Sequence, residues 1–278
     1  MQQRILQIAK ADNCIRAVLL NGSRANDQIP VDPFQDYDIV LLVNEMDTYL
    51  ADHSWVHIFG KPILSQLPDR MSFGTDPNKV GFTYLLVFAD NQRLDLTLFP
   101  MDRFPHNFQP DSLTKVWLDK DQLFTDLPLA NDRDYHIQRP NADQYRDHCN
   151  EFWWVYPYIA KALQRGELIY AQQLLHGPLR EMFHWMLSIH IGAQHDFSIT
   201  LGKGMRFLSM FLSEEAYQEI LRTYPKAEAT EILKATHLMA ALFSQYAQNV
   251  AHALGFEYHQ EEQEQSLRYF ESLMNGGF

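Results

Sequence analysis

The chain has 278 residues, of which 46% are apolar and 13% aromatic, so it can bury a sizeable core and is not a disordered chain. With 23 Lys and Arg residues against 35 Asp and Glu residues, its net charge of −12 argues against a nucleic-acid partner and favours a cationic ligand. Two isolated cysteines, Cys14 and Cys149, and no apolar run of about 18 residues predict a cytoplasmic protein without a membrane partner, and we expect a monomer.

The first half of the chain alternates short apolar runs with turn residues. Period-2 and period-3.6 patterns predict a helix at 2–12, strands at 15–20 and 38–43, a helical segment at 52–59, and hairpin strands at 82–88 and 93–99. This order of elements predicts a mixed β-sheet with helices on one face.

The second half has little strand pattern. Helical periodicity covers 143–165, 168–175, 178–191, 213–223 and 226–254, and Pro157 is expected to kink the first of these helices. The fold class is therefore α+β, with an N-terminal mixed-sheet domain at 1–135 and a C-terminal α-helical bundle at 136–278. The acidic run Glu261–Glu264 is interpreted as a solvated face.

One turn and one strand carry the strongest functional signal. The turn Asn21-Gly22-Ser23-Arg24 follows an apolar strand, and Ser23 lies thirteen residues before Asp36. Because side chains alternate along a strand, Asp36 and Asp38 project from the same face. Such close carboxylates can share divalent cations, while the N–H groups of the turn and the Ser23 hydroxyl can hold a polyphosphate. The two motifs together indicate nucleotidyl transfer.

A third carboxylate, Asp95, interrupts the apolar run 94–99. A lone Asp in a strand has to be paired, hydrogen-bonded or bound to metal, unless it shares a polar outer face with Thr97. If its strand neighbours that of Asp36 and Asp38, three carboxylates converge as ligands for two Mg²⁺ ions. Asp95, which would contribute to one ion only, is then the candidate general base.

The second half offers residues that can complete such a site. Lys161 and the flexible turn Gly202-Lys203-Gly204 each present a cation for the β- and γ-phosphates of a nucleotide. One ring of Phe152-Trp153-Trp154 can line a cleft, and Asp147 and Glu151, one helical turn apart, can supply negative charge to a cationic ligand. Ordinary solvated and core side chains are the alternative interpretation.

Taken together, these motifs resemble the aminoglycoside 6-adenylyltransferases (streptomycin adenylyltransferases) of the DNA polymerase β-like nucleotidyltransferase superfamily. The resemblance extends over roughly residues 15–205. The segments that carry it are Ile15–Val18, Leu20–Asn26, Phe34–Val40, Asp52–Trp55, Arg93–Leu98, Cys149–Val155, Ala160-Lys161, Gly177-Pro178 and Asp196–Ser198.

This resemblance implies a two-domain enzyme whose active site lies between the halves. It would transfer AMP from ATP to a hydroxyl of an aminoglycoside, with streptomycin modified at the 6-position as the expected reaction. The residue patterns and the resemblance together give these candidates: catalytic and metal-binding Asp36, Asp38 and Asp95; nucleotide-binding Gly22, Ser23, Arg24, Lys161, Ser198 and Lys203; substrate-binding Asp147, Glu151 and Trp154.

Two alternatives remain open from the sequence. The same chemistry can serve another acceptor, such as a different antibiotic, a metabolite or a protein hydroxyl. The chain can also be a non-catalytic nucleotidyltransferase-like module with a helical ribonuclease-type partner, although the spacing of Arg180 and His184 is shorter than such domains use and all three carboxylates are present. Other chemistries are poorly supported, because the chain has no GxxxxGK[ST] or GxGxxG loop, HExxH motif or GxSxG elbow.

Overall fold

A computed structural model describes residues 1–30, 32–74, 76 and 78–276. The chain divides into two compact units, Met1–Asp134 and Tyr135–Phe278. Among the described residues, no helix has both the length and the apolar character that crossing a membrane requires.

The N-terminal unit is built on a mixed β-sheet. Its elements are α1 (Gln2–Ala11), β1 (Ile15–Asn21), β2 (Tyr37–Val43), α2 (Met46–Ala51), β3 (Leu64–Gln66), β4 (Phe82–Val87), β5 (Arg93–Pro100) and β6 (Lys115–Asp119). In the described residues the sheet has six strands in the order β3-β4-β5-β2-β1-β6. The β2–β5 pair is parallel, and the other neighbouring pairs are antiparallel.

The two faces of this sheet have different environments because side chains alternate along each strand. One face carries Ile39 and Leu96, which are buried in a core with Ile5 of α1 and Phe59. The opposite face carries Asp38 and Asp95, which stay partly exposed. The strand pairing therefore places polar side chains on a face that the main core of this unit does not cover.

The C-terminal unit is helical. Its elements are α3 (Ala142–Gln164), α4 (Leu168–His176), α5 (Pro178–Gln194), α6 (Glu214–Leu221), α7 (Ala229–Leu254) and α8 (Gln260–Met274). Asn141 and Gln144 form a capping box at the start of α3, which satisfies two free backbone N–H groups. Phe152 of α3 stacks on Phe243 of α7 with ring centroids 3.7 Å apart, so these two helices share the centre of the core.

The predicted fold class is confirmed, with a mixed sheet followed by a helical region. The helical segment predicted at 52–59 is a 3-10 helix, His53–Phe59. Pro157 lies inside α3, which continues through it. The acidic run belongs to the start of α8, where Glu261 and Glu264 are exposed, as a solvated face requires. Strand β6 was missed because all five of its residues are only partly buried, which weakens the alternation of a strand.

Candidate active site

The turn between β1 and β2 is shaped to lie against a carboxylate. Gly22 starts a short 3-10 turn, Gly22–Ala25, with a φ of +71°, which an L side chain rarely adopts. A Cβ atom at this position would lie 2.5 Å from Oδ2 of Asp38. Glycine is therefore required here twice, once for the backbone conformation and once for the close approach of Asp38.

The sheet brings two of the predicted carboxylates side by side. Asp38 of β2 and Asp95 of β5 are partners in the parallel register, so their side chains leave the same face from neighbouring strands. Asn21, immediately before Gly22, is the antiparallel partner of Asp38. The sheet thus brings the turn at Gly22 next to Asp38 of β2 and Asp95 of β5.

Arg93 links the third carboxylate to the first. Its Nε and Nη2 donate to the two carboxylate oxygens of Asp95 at 2.7 and 2.8 Å, and Nε lies 3.7 Å from Oδ2 of Asp36. Because Arg93 and Asp95 are two residues apart on β5, they share a face of the strand. Arg93 therefore acts as the counter-ion of the carboxylate cluster in this structure.

Burial and the repulsion between neighbouring carboxylates both favour the protonated forms of these acids. Burial, followed by the charges of Asp95 and Asp36, raises the pKa of Asp38 to about 6. Burial also raises the pKa of Asp36, although the neighbouring Arg93 opposes that shift. A group of acids that is costly to ionise together is one that an added cation stabilises.

The donor set fits a divalent cation, because carboxylate oxygens are the ligands that Mg²⁺ prefers. Within the described parts of the chain, no group of three or more His, Cys, Asp or Glu side chains is already arranged to hold a metal ion. Both oxygens of Asp95 are engaged by Arg93. A metal ion at Asp95 would lie beside the Arg93 guanidinium, so the two positive charges would compete for this carboxylate.

The other predicted residues of the turn differ in how free they are. The Ser23 hydroxyl has no hydrogen-bond partner among the described residues, so it remains available to a ligand. Arg24, in contrast, directs Nε and Nη2 to the carbonyl oxygens of Gln35 and Asp36, and its guanidinium lies over the Tyr37 ring.

In the helical unit, the predicted substrate residues form one stripe on α3. Asp147, Glu151, Trp154, Tyr158 and Lys161 are spaced three or four residues apart, so they lie on the same side of the helix. The first two are exposed acids and Lys161 is a half-buried cation. With a rise of about 1.5 Å per residue, the stripe extends over roughly 21 Å, from an acidic end to a cationic end.

An aromatic cavity of about 520 Å³ adjoins the cationic end of this stripe, between α3 and α8. Trp154, 65% exposed, forms part of its wall. The Lys161 ammonium lies 5.0 Å from the ring centroid of Tyr158 and 5.3 Å from that of Tyr269. Glu262 of α8 also lines the cavity, so aromatic rings and both signs of charge meet there.

Two further nucleotide-binding candidates lie elsewhere in the helical unit. Ser198 follows α5 and donates its hydroxyl hydrogen to the carbonyl of His195 at 2.7 Å, which closes a turn. Lys203 starts a short 3-10 turn and is exposed. Neither residue lines the cavity beside Lys161.

Comparisons with known proteins identify the family of the chain. The family model for streptomycin adenylyltransferase matches residues 1–273. The chain belongs to this family. The prediction of a nucleotidyltransferase enzyme is thereby confirmed.

Relatives of the family match over nearly the whole chain. An aminoglycoside 6-adenylyltransferase of Bacillus subtilis (strain 168) is 38% identical over 264 residues, covering 93% of this chain and 91% of the relative. One from Campylobacter jejuni is 36% identical over 254 residues, covering 91% and 88%. The crystal structure of an aminoglycoside 6-adenyltransferase from Bacillus subtilis covers 98% of this chain and 97% of that one, with 32% identity and a TM-score of 0.49.

The ribonuclease-type alternative finds no support in the helical unit of this streptomycin adenylyltransferase family member. Arg180 is 3% exposed, donates to the hydroxyl and carbonyl oxygens of Thr223, and stacks on Tyr224. Burial and the charge of Arg180 lower the pKa of His184 to about 4. Arg180 is thus engaged in holding α5 against the end of α6, which is a packing role.

Sequence reasoning missed three residues of these sites. Arg93 carried a usable signal, because an Arg two residues before an Asp in a strand shares its face. Gln35, which bonds to the turn, gave no such signal, and neither did Tyr269, which faces Lys161 from α8. Their positions depend on which elements pack together.

Proposed function

We propose that this chain transfers AMP from ATP to a hydroxyl of an aminoglycoside, with streptomycin as the acceptor and the 6-position as the site of modification. The observation that carries the proposal is the pairing of Asp38 with Asp95 beside a glycine turn, with Asp36 two residues before Asp38. The register of Asp38 with Asp95, and the contact between Gly22 and Asp38, support it. The N-terminal unit would be the nucleotidyltransferase domain.

Asp36, Asp38 and Asp95 would hold two Mg²⁺ ions. When bound, the ions neutralise the triphosphate and lower the pKa of the acceptor hydroxyl. The pKa of Asp38, which burial and then the charges of Asp95 and Asp36 raise to about 6, supports this assignment, because a bound cation would offset these effects. Release of Arg93 from Asp95 would accompany loading of the site.

The reaction is an in-line displacement at the α-phosphorus of ATP. The acceptor oxygen forms a bond to the α-phosphorus, the bond from that phosphorus to the bridging oxygen of the β-phosphate breaks, and pyrophosphate leaves. Asp95 takes the proton of the acceptor hydroxyl as general base. The Ser23 hydroxyl and the N–H groups of the turn Gly22–Ala25 would donate to triphosphate oxygens.

The acceptor is proposed to bind along the stripe of α3. Streptomycin carries guanidinium groups, which are attracted to carboxylates and to aromatic faces. Asp147 and Glu151 supply the carboxylates, and the exposed ring of Trp154 supplies the aromatic face. The net charge of −12 favours the approach of such a cation.

Cations of the helical unit are proposed to contact the nucleotide. Lys161 is the favoured candidate, because its ammonium is held between two tyrosine rings and makes no ion pair within the described residues. Lys203 and Ser198 are kept as secondary candidates, since the first is exposed and the second already donates to His195.

The test is pyrophosphate release in the presence of Mg²⁺, with ATP or GTP, across streptomycin, kanamycin, spectinomycin, lincomycin and no acceptor. We expect release with ATP and streptomycin only, and a product whose mass has increased by one AMP group. NMR of that product assigns the modified hydroxyl.

Two variants serve this test. Asp36→Asn should abolish release, whereas Asp102→Asn, which removes a mostly exposed carboxylate after β5, should retain it. Release with a different acceptor would keep the chemistry and replace the substrate. No release with any acceptor, despite binding of MgATP, would overturn the aminoglycoside assignment.

A further inference from the structure

Arg24, in the turn Gly22–Ala25, directs its side chain to the segment that leads into β2. Its Nε donates to the carbonyl oxygens of Gln35 at 3.1 Å and of Asp36 at 3.0 Å, and its Nη2 donates to that of Gln35 at 2.7 Å. Its guanidinium carbon lies 4.0 Å from the centroid of the Tyr37 ring. The Arg24 side chain therefore contacts three consecutive residues leading into β2: Gln35, Asp36 and Tyr37.

Gln35 makes the reciprocal connection. Its side chain is 94% buried, since it is only 6% exposed, and its Nε2 donates to the carbonyl oxygen of Ser23 at 3.3 Å. The side chain of the turn thus holds the backbone before β2, while the side chain before β2 holds the backbone of the turn. This reciprocal pair fixes the distance between the two segments from both sides.

A third contact closes the same assembly. Asp38 lies against Gly22, with its Oδ2 at the position where a Cβ atom would clash. Turn and strand are thus joined at Asp36 through Arg24 and at Asp38 through Gly22. A displacement of the turn would therefore move the backbone of Asp36 and the side chain of Asp38.

We infer that Arg24 is a positioning residue, which sets the carboxylate of Asp36 for metal binding, and is not a ligand of the triphosphate. This inference rests on the proposed function, because it concerns the same metal site. A guanidinium is planar and presents several donors in a fixed fork, so it can hold two carbonyl oxygens while it stacks on an aromatic ring. The ammonium of a lysine keeps the charge but cannot reproduce that geometry.

A role in phosphate binding makes a different prediction. Within the described chain, Nη1 is the Arg24 nitrogen without a hydrogen-bond partner, so it is the donor that a phosphate could reach. A phosphate contact depends mainly on charge, and Lys would then replace Arg24 well. Positioning depends on the planar guanidinium and its fixed set of donors. Arg24→Lys would then impair metal binding as much as Arg24→Gln does.

The test compares Arg24→Lys and Arg24→Gln with the unsubstituted protein and with Arg103→Gln, a control at a mostly exposed arginine of the same unit. The readouts are Mn²⁺ affinity without nucleotide, measured by electron paramagnetic resonance, the KM for MgATP, kcat and the melting temperature. Loss of a partner that orients a metal ligand typically costs about 10- to 100-fold in metal affinity or activity. We expect that loss in Mn²⁺ affinity and kcat for both Arg24 variants, with the KM for MgATP within about threefold.

Rescue by Arg24→Lys, combined with a raised KM for MgATP in Arg24→Gln and unchanged Mn²⁺ affinity, would overturn the inference in favour of a phosphate contact. Unchanged values in both variants would also overturn it. If the Arg24 variants fail to fold, Gln35→Met decides, because it breaks the connection from the other side. Weaker Mn²⁺ binding then supports positioning, and unchanged binding refutes it.

Failure of the proposed function would look different. In that case the unsubstituted protein would bind no Mn²⁺, or Asp36→Asn would leave its Mn²⁺ binding unchanged, or it would release no pyrophosphate. If the unsubstituted protein binds Mn²⁺ and turns over while Arg24→Lys behaves normally, the positioning inference alone has failed.

Discussion

Arg93 holds Asp95 through two hydrogen bonds, so the carboxylate proposed as general base is paired with a cation in this structure. The same guanidinium lies 3.7 Å from Asp36. Arg93 and a metal ion would therefore compete for the same oxygens. In the proposed enzyme, Arg93 stabilises the carboxylates until the metal ions and the nucleotide bind in its place.

Arg93→Gln should make the metal-free protein less stable and its Mn²⁺ binding tighter. An exposed ion pair contributes up to about 1 kcal/mol, so removing the competitor should tighten Mn²⁺ binding by up to about fivefold. Melting curves with and without Mn²⁺ measure both effects, and the metal-induced rise in melting temperature should be larger than in the unsubstituted protein. A smaller rise would show that Arg93 assists metal binding. Arg103→Gln is the control for loss of a positive charge.

Asp95→Asn should lower kcat by about 10²- to 10⁴-fold, the range that general bases contribute. The KM for MgATP should stay within about threefold, because Asp36 and Asp38 remain as metal ligands. Steady-state pyrophosphate release with streptomycin measures both quantities. Asp102→Asn controls for the loss of a carboxylate near the same strand. An unaltered kcat would assign the base to another group.

Asp38→Asn should raise the melting temperature of the metal-free protein at pH 8 and change it less at pH 5. The folded pKa of Asp38, about 6, lies above the ordinary value of 3.8, so the folded state binds more protons than the unfolded state between these values. Stability from this group is therefore present at low pH and is lost as the pH rises through about 6. Asparagine resembles the protonated acid and removes that loss.

Melting curves in chelator at both pH values test this expectation. Added Mg²⁺ should raise the melting temperature of the unsubstituted protein at pH 8 but not that of Asp38→Asn. A melting temperature that Asp38→Asn lowers at pH 8 would contradict the assignment of a strained, ionised carboxylate.

Gly22→Ala should reduce both stability and activity, whereas Gly255→Ala should reduce stability alone. Both glycines have a φ near +72°, at +71° and +72°, so each substitution carries a backbone cost of about 1–2 kcal/mol. At Gly22 the new Cβ would also displace Asp38, while at Gly255 no heavy atom lies within 4 Å. Denaturant unfolding and pyrophosphate release separate the two effects. Equal activity of the two variants would remove the contact with Asp38 from the catalytic arrangement.

Trp154→Ala should raise the KM for streptomycin and leave that for MgATP unchanged. A cation over an aromatic face contributes about 0.5–2 kcal/mol, which corresponds to a rise of roughly 2- to 30-fold. Tyr170→Ala is the matched control, because Tyr170 is a partly exposed aromatic residue on α4, outside the stripe of α3. A KM for streptomycin that does not change would move the acceptor away from this stripe.

Much of the N-terminal site followed from local patterns. The period of a strand predicts that Asp36 and Asp38 share a face, although in the structure Asp36 lies just before β2 (Tyr37–Val43). The glycine of the turn indicates a backbone conformation that other residues avoid. The proximity of Asp95 to Asp38 was predicted only on the condition that their strands are neighbours. The residues of a strand do not determine which strand pairs with it. The parallel pairing of β2 with β5 supplied the missing condition.

The sequence by itself determined the fold class, the helical and strand periods and the residue types capable of nucleotidyl transfer, because those follow from chemistry within a few residues. Only the tertiary structure decided which charges meet. Arg24 and Arg93 both lie near carboxylates. Arg24 donates to backbone carbonyl oxygens, whereas Arg93 donates to the carboxylate of Asp95. That choice depends on the register of the strands and the geometry of the turn, which bring together groups that are distant along the chain.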